Sequence, residues 1–338
     1  MSGGILVINQ NWLGDVLFST PALRALRKSF PSKRIACVVP PRAAAALRNN
    51  PYLNEVMIAP DRTNLSTLLP AIMSMSRIRR ERFDSAILFH RSGTKAFLAR
   101  VCEISERFGY EWPGRGASLT RSVPLPPTMH KIDFFLHLVE AYGAHADGRY
   151  LDFFPDESAA RSDLAGLGLG LDYAAIHPGG NWDLKRWPAD HFIQFIRLCL
   201  THHSTQIVLC GTPSEVRLVE SIHRAVNDRR VISACGRTSL SGLAVLLRGA
   251  RFLLSNDSGP IHLAASQKTP ILGLYGPTRP DLTGPVSEGP VQILRKDVGC
   301  QTPCYFRRCS GRFCMEWITP EEAFMRAQPF LGKGSHFL

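Results

Sequence analysis

The sequence predicts an α/β protein made of two halves, each a doubly wound parallel sheet flanked by helices. Three features of the 338-residue chain predict it. Short apolar runs of strand length alternate with stretches of helical period, the order expected of a parallel sheet. The alternation lapses over residues 143–171, which hold several glycines and little periodicity, and restarts at Tyr173. Each half also opens with a strand that runs into a polar loop. The domains are therefore placed at 1–160 and 170–320.

In the first half, Ile5 to Ile8 read as a strand, Asn9 to Leu13 as a loop, and a helix starts near Gly14-Asp15 with Leu23, Leu26 and Phe30 on its core face. Ile35 to Val39 return as a strand that Pro40-Pro41 ends. A short helix over Ala43 to Arg48 follows, then a strand over Glu55 to Ile58 and a helix over Leu65 to Arg80. Phe83 to Leu88 form the next strand, which leads into the loop His90-Arg91-Ser92-Gly93 and a helix from Thr94. Leu119 to Thr128 is proline-rich and reads as irregular, and His130 to Tyr142 as a helix. In the second half the strands are Tyr173 to Ile176, Gln206 to Leu209, Val231 to Ala234, one ending at Phe252 to Leu254, and Ile271 to Tyr275. Helices fall at His191 to Leu200, Ser214 to Ala225, Ser239 to Leu247, and from Asn256-Asp257-Ser258-Gly259 to just before Thr269-Pro270.

Composition narrows the partners. The net charge of +12 and sequence pI near 9.5 suit an acidic partner, with arginines bunched at Arg77 to Arg80 and at Arg307-Arg308. No nucleic-acid module is recognisable, so RNA and DNA are not expected. No apolar run is long enough to cross a bilayer, and ILVI near the start reads as a strand instead of a signal peptide, so the expected compartment is the cytoplasm. Four of the nine cysteines crowd at Cys300, Cys304, Cys309 and Cys314. Their spacing is not that of a usual zinc ribbon or finger. A bound metal, a redox crosslink and reduced structural thiols all remain open.

Four loops fall at the C-terminal ends of strands, where α/β folds bind ligands. Asn11 to Leu17 places Asp15 at a helix start, as a general base for an acceptor hydroxyl or as a plain helix cap. His177 to Pro188 brings Gly179 and Gly180, whose backbone N–H groups can approach a ligand closely. It also brings Lys185, placed to neutralise a departing phosphate, and Trp187, read as packing. Cys210 to Glu215 offers a carboxylate that could accept both ribose hydroxyls or simply serve a helix's first turn. Asn256 to His262 offers N-cap candidates Asp257 and Ser258, with Gly259, Pro260 and His262 at a helix N-terminus that favours an anion. Arg91 and Lys95 could face an anionic acceptor. A G-x-G-x-x-G after the first strand is absent, which argues against a nicotinamide dehydrogenase.

Taken together, NWLGDVLFSTPALRAL, HPGGNWDLKRWP, NDSGPIHLAA and LYGPTRPD resemble glycosyltransferase family nine, the heptosyltransferases of lipopolysaccharide core assembly, and in NDSG and YGP-x2-PD the heptosyltransferase II branch. The resemblance implies a GT-B fold, with two Rossmann-like domains facing across a cleft and a final helix, about 320–338, packing back on the first. It implies inverting transfer of L-glycero-D-manno-heptose from ADP-heptose to the inner core. The acceptor would be anionic and lipid-linked, met by peripheral contact at the cytoplasmic face of the inner membrane. Asp15 matches the base and Lys185 the lysine facing the leaving ADP. Glu215 matches the ribose acid, Gly179 and Gly180 the donor loop, and Asp257, Ser258, Gly259 and His262 the phosphate and heptose contacts. Neither a cofactor nor a metal is implied. The same fold using another nucleotide sugar, or binding one without catalysis, is the alternative.

Overall fold

The computed structural model describes residues 3–61, 67–304, 309 and 311–332. The chain divides into two compact units, Met1–Phe154 and Pro155–Leu338. In the first, β1 (Gly4–Ile8), β2 (Ile35–Val39), β3 (Glu55–Ile58), β4 (Phe83–Leu88), β5 (Glu106–Tyr110) and β6 (Arg121–Val123) form one parallel sheet in the order β3-β2-β1-β4-β5-β6. Strands β1 and β2, GILVI and IACVV, are buried along their whole length, as strands covered by helices on both faces require.

The sequence reading misses β5 and β6 for a physical reason. β5 is written ERFGY and β6 is a largely exposed three-residue edge strand, so neither carries the apolar run that marks a central strand. The helix expected over Ala43 to Arg48 is a single turn, Pro41–Ala44. The one expected over Leu65 to Arg80 spans Leu68–Arg80, and residues 62–66 lie outside those described.

The division between the units falls after Phe154. Arg24, fully buried in helix Thr20–Ser29, gathers the stretch after helix Lys131–Tyr142 onto the first unit. Its guanidinium donates to Asp147 (2.7 Å), to Asp152, and to the carbonyls of Gly148 and Tyr150 (both 3.1 Å), and it lies over the Tyr150 ring. From Pro155 onward the chain belongs to the second unit. Asp156 caps helix Glu157–Leu164, which packs on helix Leu240–Gly249 through a two-point Glu157–Arg248 ion pair.

In the second unit β7 (Tyr173–His177), β8 (Gln206–Leu209), β9 (Val231–Ser233), β10 (Leu253–Asn256), β11 (Ile271–Tyr275) and β12 (Val291–Arg295) form a parallel sheet ordered β12-β11-β10-β7-β8-β9. Counted from its own first strand, this is the order of the first sheet, and both match the Rossmann arrangement. The order reverses between β1 and β4 in one unit and between β7 and β10 in the other. Ligands bind beyond the C-terminal ends of strands at such a reversal.

The final helix, Pro320–Leu331, lays Ala323, Ala327 and Leu331 into the second unit's core beside Trp187, Phe192 and Phe195. Its apolar residues recur every four positions and so form one stripe, and that stripe is buried where it stands. The Trp187 indole N–H donates to the Ile318 carbonyl at 2.8 Å just ahead of the helix. Trp187 is thus a packing residue, as its reading in the sequence anticipates. Among the described residues no helix is long and apolar enough to cross a membrane.

Candidate active site

In the second unit the two strands at the reversal end in polar residues that tie the loops together. Asn256, closing β10, donates from its side-chain amide to the carbonyls of Pro178 and Gly179 (both 2.9 Å) and accepts the Trp187 N–H at 3.0 Å. His177, closing β7, has Nδ1 3.1 Å from the Ser258 hydroxyl and Nε2 3.4 Å from the Glu215 carboxylate. Glu215 in turn accepts from the Gly180 N–H and from the Thr212 N–H and hydroxyl, each at 2.8 Å. Three separated loops are thereby held at one sheet edge.

Glycine is required at both 179 and 180. A Cβ at residue 179 would collide with the Glu215 carboxylate, and Gly180 has a φ of +155°. Beyond them, the Lys185 ammonium donates to Asp257 at 2.8 Å; the aspartate is buried and the lysine side chain a quarter exposed. Ser258 stands at the N-cap of helix Gly259–Ser266, but its hydroxyl turns to the Asn256 carbonyl and His177, and no side chain caps the helix. Pro260 sits in the first turn as expected. The result is a partly exposed helix N-terminus with its dipole uncompensated by a capping oxygen, next to a lysine. His262 is buried one turn in.

Burial alone would push the Glu215 carboxyl up. The His177 hydrogen bond and charge, with the Thr212 N–H and hydroxyl, outweigh it and hold the group at about 2. A drop from the usual 4.5 to about 2 corresponds to about 3 kcal/mol. Because the folded value is depressed, this stabilisation is present above about pH 4.5 and is lost as pH falls toward 2. Glu215→Gln should therefore be less stable than wild type near neutrality and approach it in acid, read by urea unfolding at a series of pH values.

In the first unit, Asp15 is the third residue of helix Leu13–Phe18, partly exposed, with the Lys131 ammonium at 3.7 Å. Lys95 donates to the Asn11 side chain at 2.8 Å and to the Asn9 carbonyl at 3.4 Å, which brings it to the end of β1. Burial lowers it to about 8. His90, 3.3 Å from Asn11, is lowered to about 4 by burial and by Lys95, Lys131 and Arg115 around it. Arg115 is buried, with one bond to the Tyr110 carbonyl, and its Nε and Nη2 meet no acceptor among the described residues. Three cations, Lys95, Lys131 and Arg115, thus act on His90, and Lys131 also faces Asp15. The Arg91 guanidinium lies over the Trp112 and Phe134 rings, 4.8 Å from each centroid.

Cys300, Cys304, Cys309 and Cys314 line one cavity of the second unit with Leu184 and Pro277, and all nine thiols are unpaired. Burial and the other three thiols push Cys314 up. Among the described residues no group of three or more His, Cys, Asp or Glu side chains is arranged to hold a metal ion. Arg307 and Arg308 lie outside the described residues.

The residues sequence reasoning left without a role are His177 and Asn256. Both sit inside quoted motifs, HPGG and NDSG, and the signal was there to read: each is a polar residue at the last position of a buried strand.

Comparison with known proteins follows the same lines. The family model described as glycosyltransferase family 9 (heptosyltransferase) matches residues 73–310. Lipopolysaccharide heptosyltransferase 2 of Salmonella typhimurium is 25% identical over 303 residues, covering 84% of this chain and 85% of that protein. The structure of Escherichia coli ADP-heptose LPS heptosyltransferase II superposes with a TM-score of 0.81 at 22% identity, over 97% of this chain and 98% of that one. A family 9 glycosyltransferase from Veillonella parvula gives a TM-score of 0.86 at 23% identity, over 97% of each chain. At such identities the structural likeness speaks for the fold alone, which is GT-B with two Rossmann-like units.

Proposed function

The chain belongs to glycosyltransferase family 9, and on that premise we propose that it moves L-glycero-D-manno-heptose from ADP-heptose to the inner core of lipopolysaccharide, with inversion. The observation that carries the reading is the second unit's sheet edge, where an uncapped helix N-terminus, Lys185 on Asp257 and the Gly179-Gly180 loop converge. Backbone N–H groups and one lysine are what a diphosphate needs.

The step is a single displacement. The acceptor hydroxyl gives its proton to Asp15 as its oxygen bonds the anomeric carbon, and the bond from that carbon to the phosphate oxygen breaks. The electron pair leaves on ADP, where Lys185 and the helix at Ser258-Gly259 meet the growing charge. Asp257 and His262 face the heptose and phosphate. Glu215 accepts a ribose hydroxyl through capacity left on Oε1 while still holding Gly180. Proton transfer and charge stabilisation then come from groups of the chain itself.

Lys95 carries the acceptor proposal better than Arg91, whose guanidinium is already stacked on rings. With Lys131 and Arg115 nearby, Lys95 gives the first unit a field suited to a phosphate or carboxylate on the acceptor. Since Lys95 is charged only below about 8, the acceptor KM should rise as pH passes through that value. Lys95→Arg should flatten the rise, because guanidinium stays protonated throughout. A pH series of acceptor KM checks this. The function is tested by a donor screen: ADP should appear from ADP-heptose with delipidated core acceptor, and turnover of a different nucleotide sugar alone would overturn the assignment.

A further inference from the structure

Helix Leu68–Arg80 turns one face inward and leaves the opposite face unlike an ordinary solvated one. Ala71, Ser74, Met75 and Ile78, at helical spacing, face the first unit's core. The line opposite is Leu69, Met73 and Arg80, flanked by Leu68 and Ile72. Leu69 is 66% exposed and Met73 63%, with Leu68 and Ile72 about half exposed. Two successive turns thus present large apolar side chains to the outside, where a soluble surface helix carries polar ones. The helix then changes character. Arg77, paired with Glu55, Arg79, paired with Glu103, and Arg80 close it, Arg82 follows, and all four are exposed, so Arg80 and Arg82 carry the charge argument.

We propose that this face is the surface by which the protein docks on an anionic lipid bilayer, its apolar turns entering the headgroup boundary and its arginines meeting lipid phosphates. A helix of 13 residues is about 20 Å long, ample to lie in that boundary. The charge decides between occupants. A second copy would bring another +12 molecule against the same basic end, whereas an anionic bilayer is attracted to it. The contact is superficial, since no described helix can span a bilayer. The transferase reading supplies its purpose, a lipid-linked acceptor, but the docking is tested without donor or acceptor.

The experiment is flotation of the full chain with vesicles of phosphatidylethanolamine and phosphatidylglycerol, and with phosphatidylcholine alone. The protein should float with the anionic vesicles, less so as salt rises, and little with the neutral ones. L69E/M73E should weaken flotation at least about tenfold with an unchanged circular dichroism spectrum and thermal melt. R80E/R82E should do so by roughly tenfold or more, since each basic residue near an anionic surface contributes about fivefold. Absence of flotation, or flotation indifferent to L69E/M73E, would overturn the proposal. So would a lipid-free dimer that the same substitutions dissolve, because the occupant would then be a second copy. None of these results bears on ADP release, so the two proposals fail separately.

Discussion

Asp15→Asn should lower kcat by roughly a hundredfold to ten-thousandfold, the span that positioned general bases contribute, with ADP affinity unchanged. Asparagine keeps the shape of the side chain and its capacity to accept a hydrogen bond, and removes only basicity. The change also deletes the charge facing Lys131 at 3.7 Å, but both side chains are more than a quarter exposed, so little stability is at stake. The helix-cap alternative makes the opposite forecast. The structure puts Asp15 in the first turn without a capping bond, so Asn would lose only the favourable charge at the helix N-terminus, about 0.3–1 kcal/mol in the thermal melt, and leave turnover near normal. Steady-state kinetics beside a melting curve separates the two.

Lys185→Ala should lower kcat by roughly a hundredfold to a thousandfold, as removal of a single transition-state charge contact does. The loss should fall more on kcat than on ADP binding, because the charge that Lys185 meets is largest as the bond to phosphate breaks. A second effect belongs to the fold. Lys185 partners the buried Asp257, and its removal leaves a buried carboxylate without its ammonium. Destabilisation is therefore expected in Lys185→Ala and should be relieved in the double variant that adds Asp257→Asn. Turnover should stay low in both, which separates catalysis from stability.

Much of this molecule is legible in its sequence because buried parallel strands are apolar throughout and end abruptly in polar loops. Strands such as β1, β2 and β11 announce themselves, and the loops that follow β1, β7, β8 and β10 can be located to a residue or two. What escapes are elements whose identity depends on neighbours. β5 takes its strand character from pairing with β4, and β6 from pairing with β5, not from their own composition. Helix Pro320–Leu331 shows its apolar stripe in the sequence, but which core receives the stripe is a tertiary matter. In the site, charged and glycine residues stand out. The bonds that position them, from Asn256 to the donor loop and from His177 to Ser258 and Glu215, span some 38 to 81 residues and leave no periodic trace. Arg91 is the converse case: its charge suggests a ligand, and its stacking on Trp112 and Phe134 is invisible from its own loop.

The central claim is a one-step displacement in which an aspartate activates the incoming alcohol while amides and a lysine receive the departing diphosphate. Its most direct test is the anomeric configuration of the product, read by NMR after incubating ADP-heptose with delipidated core acceptor and counting the ADP released. The account predicts one ADP for each new glycosidic bond, with the configuration opposite to the donor's. A product that retains the donor's configuration would contradict it, as would ADP released with no bond formed.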